Sequence, residues 1–189
     1  MNVVIDYLRA VYPLSNECVN HLAGIVRHRH VGKKGFLLRP GEVCQYVWFI
    51  EKGMFRAYYM EGETEVTAWL RKEYDVIVSV DSYYDQVAAT EYIQAVEDSE
   101  VSFITYAEEK ELFDTFLEYN VIGRLLTQKE LREHAREIRN IRMLTGLQRY
   151  MALLERDPDL AHRAPVMYLA SYLGMQPESL SRVRQQLSK

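Results

Sequence analysis

Two charged residues near the C-terminus carry the most specific chemistry in the chain. Glu178 and Arg182 stand four apart in PESLSRVRQ, so on a helix they share one face, opposite Leu180 and Val183. A carboxylate placed there accepts hydrogen bonds from a group such as cytosine N4. A guanidinium donates two at once to guanine O6 and N7. The plainer reading of such a pair is a surface salt bridge. Gln176 and Ser179 sit at the start of the same stretch, where a helix N-terminus favours phosphate oxygens. Other candidate chemistry is thinner. His28-Arg29-His30 puts two imidazoles on one strand face without the further ligands a metal needs, so an exposed basic strand is expected. The chain carries no nucleophile motif or phosphate loop. No enzyme activity, metal or cofactor is expected.

These residues need two short helices to position them. Leu169 and Leu173 share one face of a first helix, and Leu180 and Val183 share one face of a second. Ala170 and Ser171 are small enough for a close helix crossing. Gly174 tolerates the positive φ that ends the first helix. Pro177 suits the first turn of the second, with Glu178 favouring its positive end. The sequence A-S-Y-L-G-M, four further residues, then L-S-R-V (Ala170 to Val183) resembles a DNA-binding helix-turn-helix, and its second helix resembles the recognition helix of the Crp/Fnr family. The resemblance implies that Glu178 and Arg182 read base edges. Gln176 and Ser179 then hold phosphates. Arg184 points roughly 200° away from Arg182 and matters less. Arg149 and Arg163 are further candidates for backbone contacts. Family members continue into a β-hairpin wing, whereas the chain stops at Lys189. The expectation is a DNA-binding unit lacking a full wing.

Composition bounds the class. The chain has 189 residues, 48% hydrophobic and 26% charged, ordinary for a globular protein with one sizeable core and a small satellite. Its net charge of −4 hides an asymmetry. Residues 1–119 carry 11 Lys+Arg against 20 Asp+Glu, and residues 120–189 carry 12 against 7, giving −9 and +5. The basic third is the one that holds the two short helices. No apolar run is long enough to span a bilayer, and the N-terminus lacks a signal-peptide pattern. Two cysteines, Cys18 and Cys44, form no C-x-x-C pair and cannot supply four thiolates to a cluster. A cytoplasmic protein is expected.

Along the chain, residues 5–26 read as helical with a break at Pro13 and an N-cap at Ser15. Strand-like runs follow: Phe36–Arg39, Tyr46–Glu51, Phe55–Met60, Thr64–Leu70, Val76–Val80, Tyr92–Val96 and Val101–Thr105, with Gly41 and Gly53 placed at hairpin turns. The segment RPGE to FIEKG (Arg39 to Gly53) resembles the front of a cyclic-nucleotide-binding domain, a β jelly roll. The resembled pocket uses a Gly, a Glu and an Arg. Gap-free alignment puts Val78, Ser79 and Ala89 in their places, with Thr90 left as one neutral donor. Losing two charge-assisted contacts costs about 3–6 kcal/mol, or roughly 10²–10⁴ in affinity. Cyclic AMP is therefore not an expected ligand. Tyr83, Tyr84 and Tyr92 offer ring surface for a different effector, or simply a packed core.

From about Leu112 the pattern is helical again. Leu131, His134, Ile138, Ile141 and Thr145 repeat at alternating three- and four-residue steps, a short coiled-coil seam. Next, Leu147, Tyr150, Met151 and Leu154 form the face of a further helix, ended by Asp157-Pro158-Asp159. The expected architecture is α+β: a jelly roll over 1–117, a dimerisation helix over 118–145 and a helix-turn-helix domain over 146–189. The partners implied are a second copy of the chain, a pseudo-palindromic double-stranded DNA site, RNA polymerase, and an unidentified small-molecule effector; no membrane. The rival reading is a ligand-sensing or protein-interaction module whose helix-turn-helix is vestigial.

Overall fold

The computed structural model of the chain describes residues 2–187. Helices α1 (Val3–Val11) and α2 (Asn16–Ile25) come first, parted at Pro13. The Ser15 hydroxyl accepts from the Cys18 N–H at 3.2 Å and so starts α2. Eight strands follow: β1 (Arg27–Val31), β2 (Phe36–Leu38), β3 (Tyr46–Lys52), β4 (Met54–Glu61), β5 (Thr64–Lys72), β6 (Val76–Ile77), β7 (Tyr92–Ala95) and β8 (Ser99–Thr105). A short helix, α3 (Val80–Asp85), interrupts them between β6 and β7. The chain then continues as α4 (Tyr106–Thr115), α5 (Leu117–Met143), α6 (Gly146–Arg156), α7 (Pro158–Arg163), α8 (Val166–Tyr172) and α9 (Pro177–Leu187).

The strands form two antiparallel four-stranded sheets, ordered β1-β8-β3-β6 and β2-β7-β4-β5. Inward residues of both meet in one core: Trp48, Ile50 and Val101 from the first sheet, Phe55, Ala57 and Ile93 from the second. Successive strands mostly switch sheets. Gly53, expected at a hairpin, instead turns the corner from β3 in one sheet to β4 in the other. Its φ is +99°, and a Cβ there would meet the Ser99 side chain. Gly41 likewise lies between β2 and β3 of different sheets.

Other expectations shift for local reasons. The run Val76–Val80 is a strand only to Ile77, because α3 begins after Ser79. Helix α4 starts at Tyr106, before Leu112, where Thr105 and Glu108 form a reciprocal capping box. Thr145 closes no seam. It caps α6 in a second capping box with Gln148. Asp157 ends α6 as expected, as its C-cap, and the same residue is the N-cap of α7, which Pro158 opens. On α6 the buried residues are Tyr150 and Leu153, while Leu147 and Met151 are exposed.

Two satellite cores flank the sandwich. Helices α1, α2, α4 and the first turns of α5 pack on Phe49 and Ile104. Helices α6–α9 pack on one another and against Met54, Leu70 and Val96. Only Tyr119 and Ile122 of α5 are buried, so its C-terminal half runs along the surface. No helix among the described residues is long and apolar enough to cross a membrane.

Candidate nucleic-acid interface

The α8–α9 pair is built as its residue types dictate. Leu169 and Ala170 are fully buried and Leu173 nearly so. Gly174 takes φ +60°, donates to the Ser171 carbonyl at 3.0 Å, and lets Met175 donate to the Ala170 carbonyl at 2.8 Å. These are the two bonds of a Schellman turn, and they need a residue free of the Cβ penalty. Pro177 then starts α9, and the Gln176 carbonyl accepts from Ser179 and Leu180. Leu180 is fully buried and Val183 packs beside it, so the opposite side of α9 faces outward.

That outward side carries Gln176, Glu178 and Arg182, all exposed, with Ser179 half-buried between them. Arg182 donates to the Ser179 hydroxyl at 3.5 Å, and among the described residues no ion pair joins it to Glu178. The salt-bridge reading of this pair is therefore not what the structure contains. Arg184 lies on the other side, donating to the Ala161 and Ala164 carbonyls at the end of α7.

The two arginines expected to touch a nucleic-acid backbone are committed internally. Arg163 pairs with Glu73 at 2.7 Å and Glu97 at 2.5 Å, tying α7 to the strands. Burial alone raises the Glu73 carboxyl. Hydrogen bonds from Arg163 and the Gly53 N–H outweigh it and hold Glu73 below the usual carboxylate range. Arg149 reaches four carbonyls: Leu173 and Leu144 at 2.7 Å, Gly174 at 3.2 Å and Ile141 at 3.4 Å. It fastens the turn of the α8–α9 pair to the end of α5. Part of the basic C-terminal charge is thus consumed inside the fold. Arg124, Arg132, Arg139 and Arg142 of α5 remain exposed.

Ser171, expected at a helix crossing, faces β5. Its hydroxyl accepts from the Thr67 N–H at 2.9 Å and donates to the Glu65 carbonyl at 3.3 Å. Beside it Arg56, 1% exposed, stacks over Tyr168 at 3.6 Å and Tyr58 at 4.1 Å. Tyr172 donates to Glu137 of α5 at 2.7 Å. Tyr58 shares a strand face with Arg56 two residues away, but the other partners lie far away in sequence, so no periodicity rule points to them. They hold the α8–α9 pair against both the sandwich and α5.

Of the four pocket positions, Val78 and Ala89 belong to the same sandwich core cluster. Val78 lies in the link between β6 and α3, and Ser79 caps α3 without a side-chain bond, its Oγ buried and unpartnered. Ala89 is buried in the sandwich core, and Thr90 is exposed, its hydroxyl donating to Glu91 at 3.4 Å. Of the three tyrosines, Tyr83 and Tyr84 meet edge to face with ring centroids 5.5 Å apart, while Tyr92 packs elsewhere. Tyr83 is buried and donates to Glu109, Tyr92 stacks on Tyr58, and Tyr84 is exposed. A groove of about 300 Å³ between β5, α3 and α5 is lined by Trp69, Val78 and Ile138. Among the described residues it carries Asp81, Glu91 and Glu137 but no Lys or Arg. The adjacent Arg71 is already paired with Glu130 and Glu137.

The seam positions lie along one exposed stripe of α5. Leu131 is 68% exposed, Ile138 53% and Ile141 61%. His134 sits within it, 3.3 Å from Arg71 and 3.8 Å from Glu130. Among the described residues no three His, Cys, Asp or Glu side chains gather as a metal site.

This fold is similar to that of solved transcriptional regulators, one of them assigned to the Crp/Fnr family. FixK2 from Bradyrhizobium japonicum matches with a TM-score of 0.74 and 16% identity, over 87% of this chain and 85% of that one. The c-di-GMP-responsive global regulator CLP of Xanthomonas campestris matches with a TM-score of 0.70 and 15% identity, over 92% of each chain. A protein assigned to the Crp/Fnr family of transcriptional regulators, from Eubacterium rectale, matches with a TM-score of 0.69 and 16% identity, over 95% of this chain and 88% of that one. No family model matches the chain, and no curated protein sequence does.

Proposed function

We propose that this chain is a DNA-binding transcription regulator of the Crp/Fnr type, acting as a two-fold dimer. In this reading the two sheets are the sensor jelly roll, α5 is the dimer helix, and α8 and α9 are the helix-turn-helix. The observation that carries it is the outer face of α9. Glu178 and Arg182 stand on one exposed face, unpaired with each other, above a stripe that is fully buried at Leu180. Arg182 reads guanine, Glu178 accepts from cytosine, and Gln176 and Ser179 hold phosphates. The Leu131–Ile141 stripe, open on a single chain, is covered by the same stripe of a second copy, in the manner of a heptad seam. Paired recognition helices then address half-sites about 34 Å apart.

The sensor is proposed not to take a cyclic nucleotide. The groove beside α3 presents carboxylates where a phosphate needs cations, and Ala89 and Val78 supply no replacement charge. The test of the central reading is fluorescence anisotropy with labelled genomic fragments at several salt concentrations. Saturable binding to discrete fragments, above a salt-sensitive background, is the expected result. Equal, weak affinity for every fragment would instead mean that α9 is vestigial.

A further inference from the structure

A second cleft, of about 350 Å³, opens where α5, α6, α8 and β5 meet. It abuts the groove beside α3, with which it shares Ala68, Glu137 and Ile141. Four guanidiniums line it, those of Arg136, Arg139, Arg149 and Arg156, against two carboxylates, Glu137 and Glu155. The surplus is larger than surface pairing requires. Arg136 and Arg156 share a single carboxylate, Glu133, at 3.2 and 3.3 Å. Among the described residues Arg149 bonds neutral carbonyls and no carboxylate. Arg139 has no hydrogen bond or ion pair among the described residues and is exposed at the mouth. Glu137 is turned to Tyr172 and Arg71. The remaining wall is apolar, with Leu153 and Leu173 buried beneath and Ala68 and Ala152 leaving room above.

A concentration of cations beside an apolar wall, in a chain of net charge −4, is the chemistry of a site for an organic anion. We propose that this cleft binds a small organic phosphate of the monoester class, its dianion held by Arg139 with Arg136 or Arg156 and its apolar body laid on Leu153 and Leu173. Planar guanidiniums match phosphate oxygens in pairs, which a single ammonium cannot do. The volume suits a body of one or two rings. Because the walls belong to both α5 and α8, an occupant bridges the long helix and the terminal helix pair, across the junction that Arg149 already fastens.

The test uses the full-length chain and 1-naphthyl phosphate as probe, in isothermal titration calorimetry, with inorganic phosphate and 1-naphthol as single-feature comparators. One saturable site per chain is expected, with both comparators weaker by roughly tenfold or more. Arg139→Gln removes a guanidinium that nothing in the fold uses, and Ala152→Leu fills the cleft without changing its charge. Each should weaken the probe by roughly tenfold or more. Arg142→Gln, an exposed arginine outside the cleft, should leave it unchanged. Circular dichroism confirms that the variants are folded. Absence of saturable binding, or binding that survives both cleft variants, overturns the site. Inorganic phosphate binding as tightly as the aryl ester overturns its organic character.

Discussion

Arg149→Met is the perturbation whose cost follows most directly from the geometry. It keeps the hydrophobic stem and removes the guanidinium. The two bonds at 2.7 Å, to Leu144 and Leu173, are charge-assisted and short; those at 3.2 and 3.4 Å are weaker. A hydrogen bond from a charged donor contributes about 1.5–3 kcal/mol. Leu144 is a half-buried residue whose carbonyl can regain water, so its bond falls at the low end. The Leu173 residue is buried and its carbonyl does not. The sum is about 3–4.5 kcal/mol of stability. With a urea m-value of about 2 kcal/mol/M, the unfolding midpoint should fall by roughly 1.5–2.3 M. Urea titration followed by circular dichroism checks this, with Arg139→Gln as a control that should move the midpoint by less than about 0.3 M. An unchanged midpoint in Arg149→Met, accompanied by a shallower salt dependence of DNA affinity, would refute the reasoning. It would return Arg149 to the phosphate-contacting role that its charge alone suggests.

Three further outcomes are expected. Ile138→Asp, at a position 53% exposed on a single chain, should leave the fold intact and convert a micromolar dimer to monomer in analytical ultracentrifugation; a wild-type monomer would remove the seam. Cyclic AMP should show no micromolar binding by calorimetry, since the groove beside α3 lacks Lys and Arg among the described residues. Hydrogen bonds from Arg27 at 2.5 and 2.9 Å hold the Glu108 carboxyl down to about 2, against an ordinary 4.5. Because the folded value is depressed, this contribution is present above about pH 4.5 and lost as pH falls toward 2. Arg27→Gln should therefore lower the urea midpoint at pH 7 and flatten its fall between pH 5 and 2. A variant whose pH profile parallels the wild type would contradict that assignment.

What could be read in advance was local. Leu169, Leu173, Leu180 and Val183 announce two amphipathic turns through spacing alone, and Gly174 announces the joint between them, because only a residue without a Cβ penalty suits it. The strand runs stand close to their observed places for the same reason. Distances in space were not legible. Gly53 has the same local signature in a hairpin as at a corner between sheets, and only the sheet order distinguishes them. Ser171 is a small residue in any helix; that it bonds Thr67 and Glu65 depends on how α8 lies on β5. The bonds of Arg149 to Leu173 and Gly174, and of Arg163 to Glu73 and Glu97, join residues remote in the chain, so the sequence carries no sign of them. The Thr105–Glu108 capping box was legible and marks the true start of α4. The outward-facing Glu178 and Arg182 needed only the period of a helix, whereas the arginine-lined cleft needed four elements brought together.

The most direct test of DNA reading by α9 is a binding selection from a random duplex library, run in parallel with wild type and Arg182→Ala. Arg182 faces outward, one turn beyond Glu178, with no role in the buried stripe. Its truncation should leave stability unchanged. The wild type should recover a pseudo-palindrome with half-sites about 34 Å apart. Arg182→Ala should lose about 1–3 kcal/mol per half-site and relax its preference at one base pair in each. Recovery of the same motif at the same affinity by both proteins would contradict the account, as would recovery of no motif by the wild type.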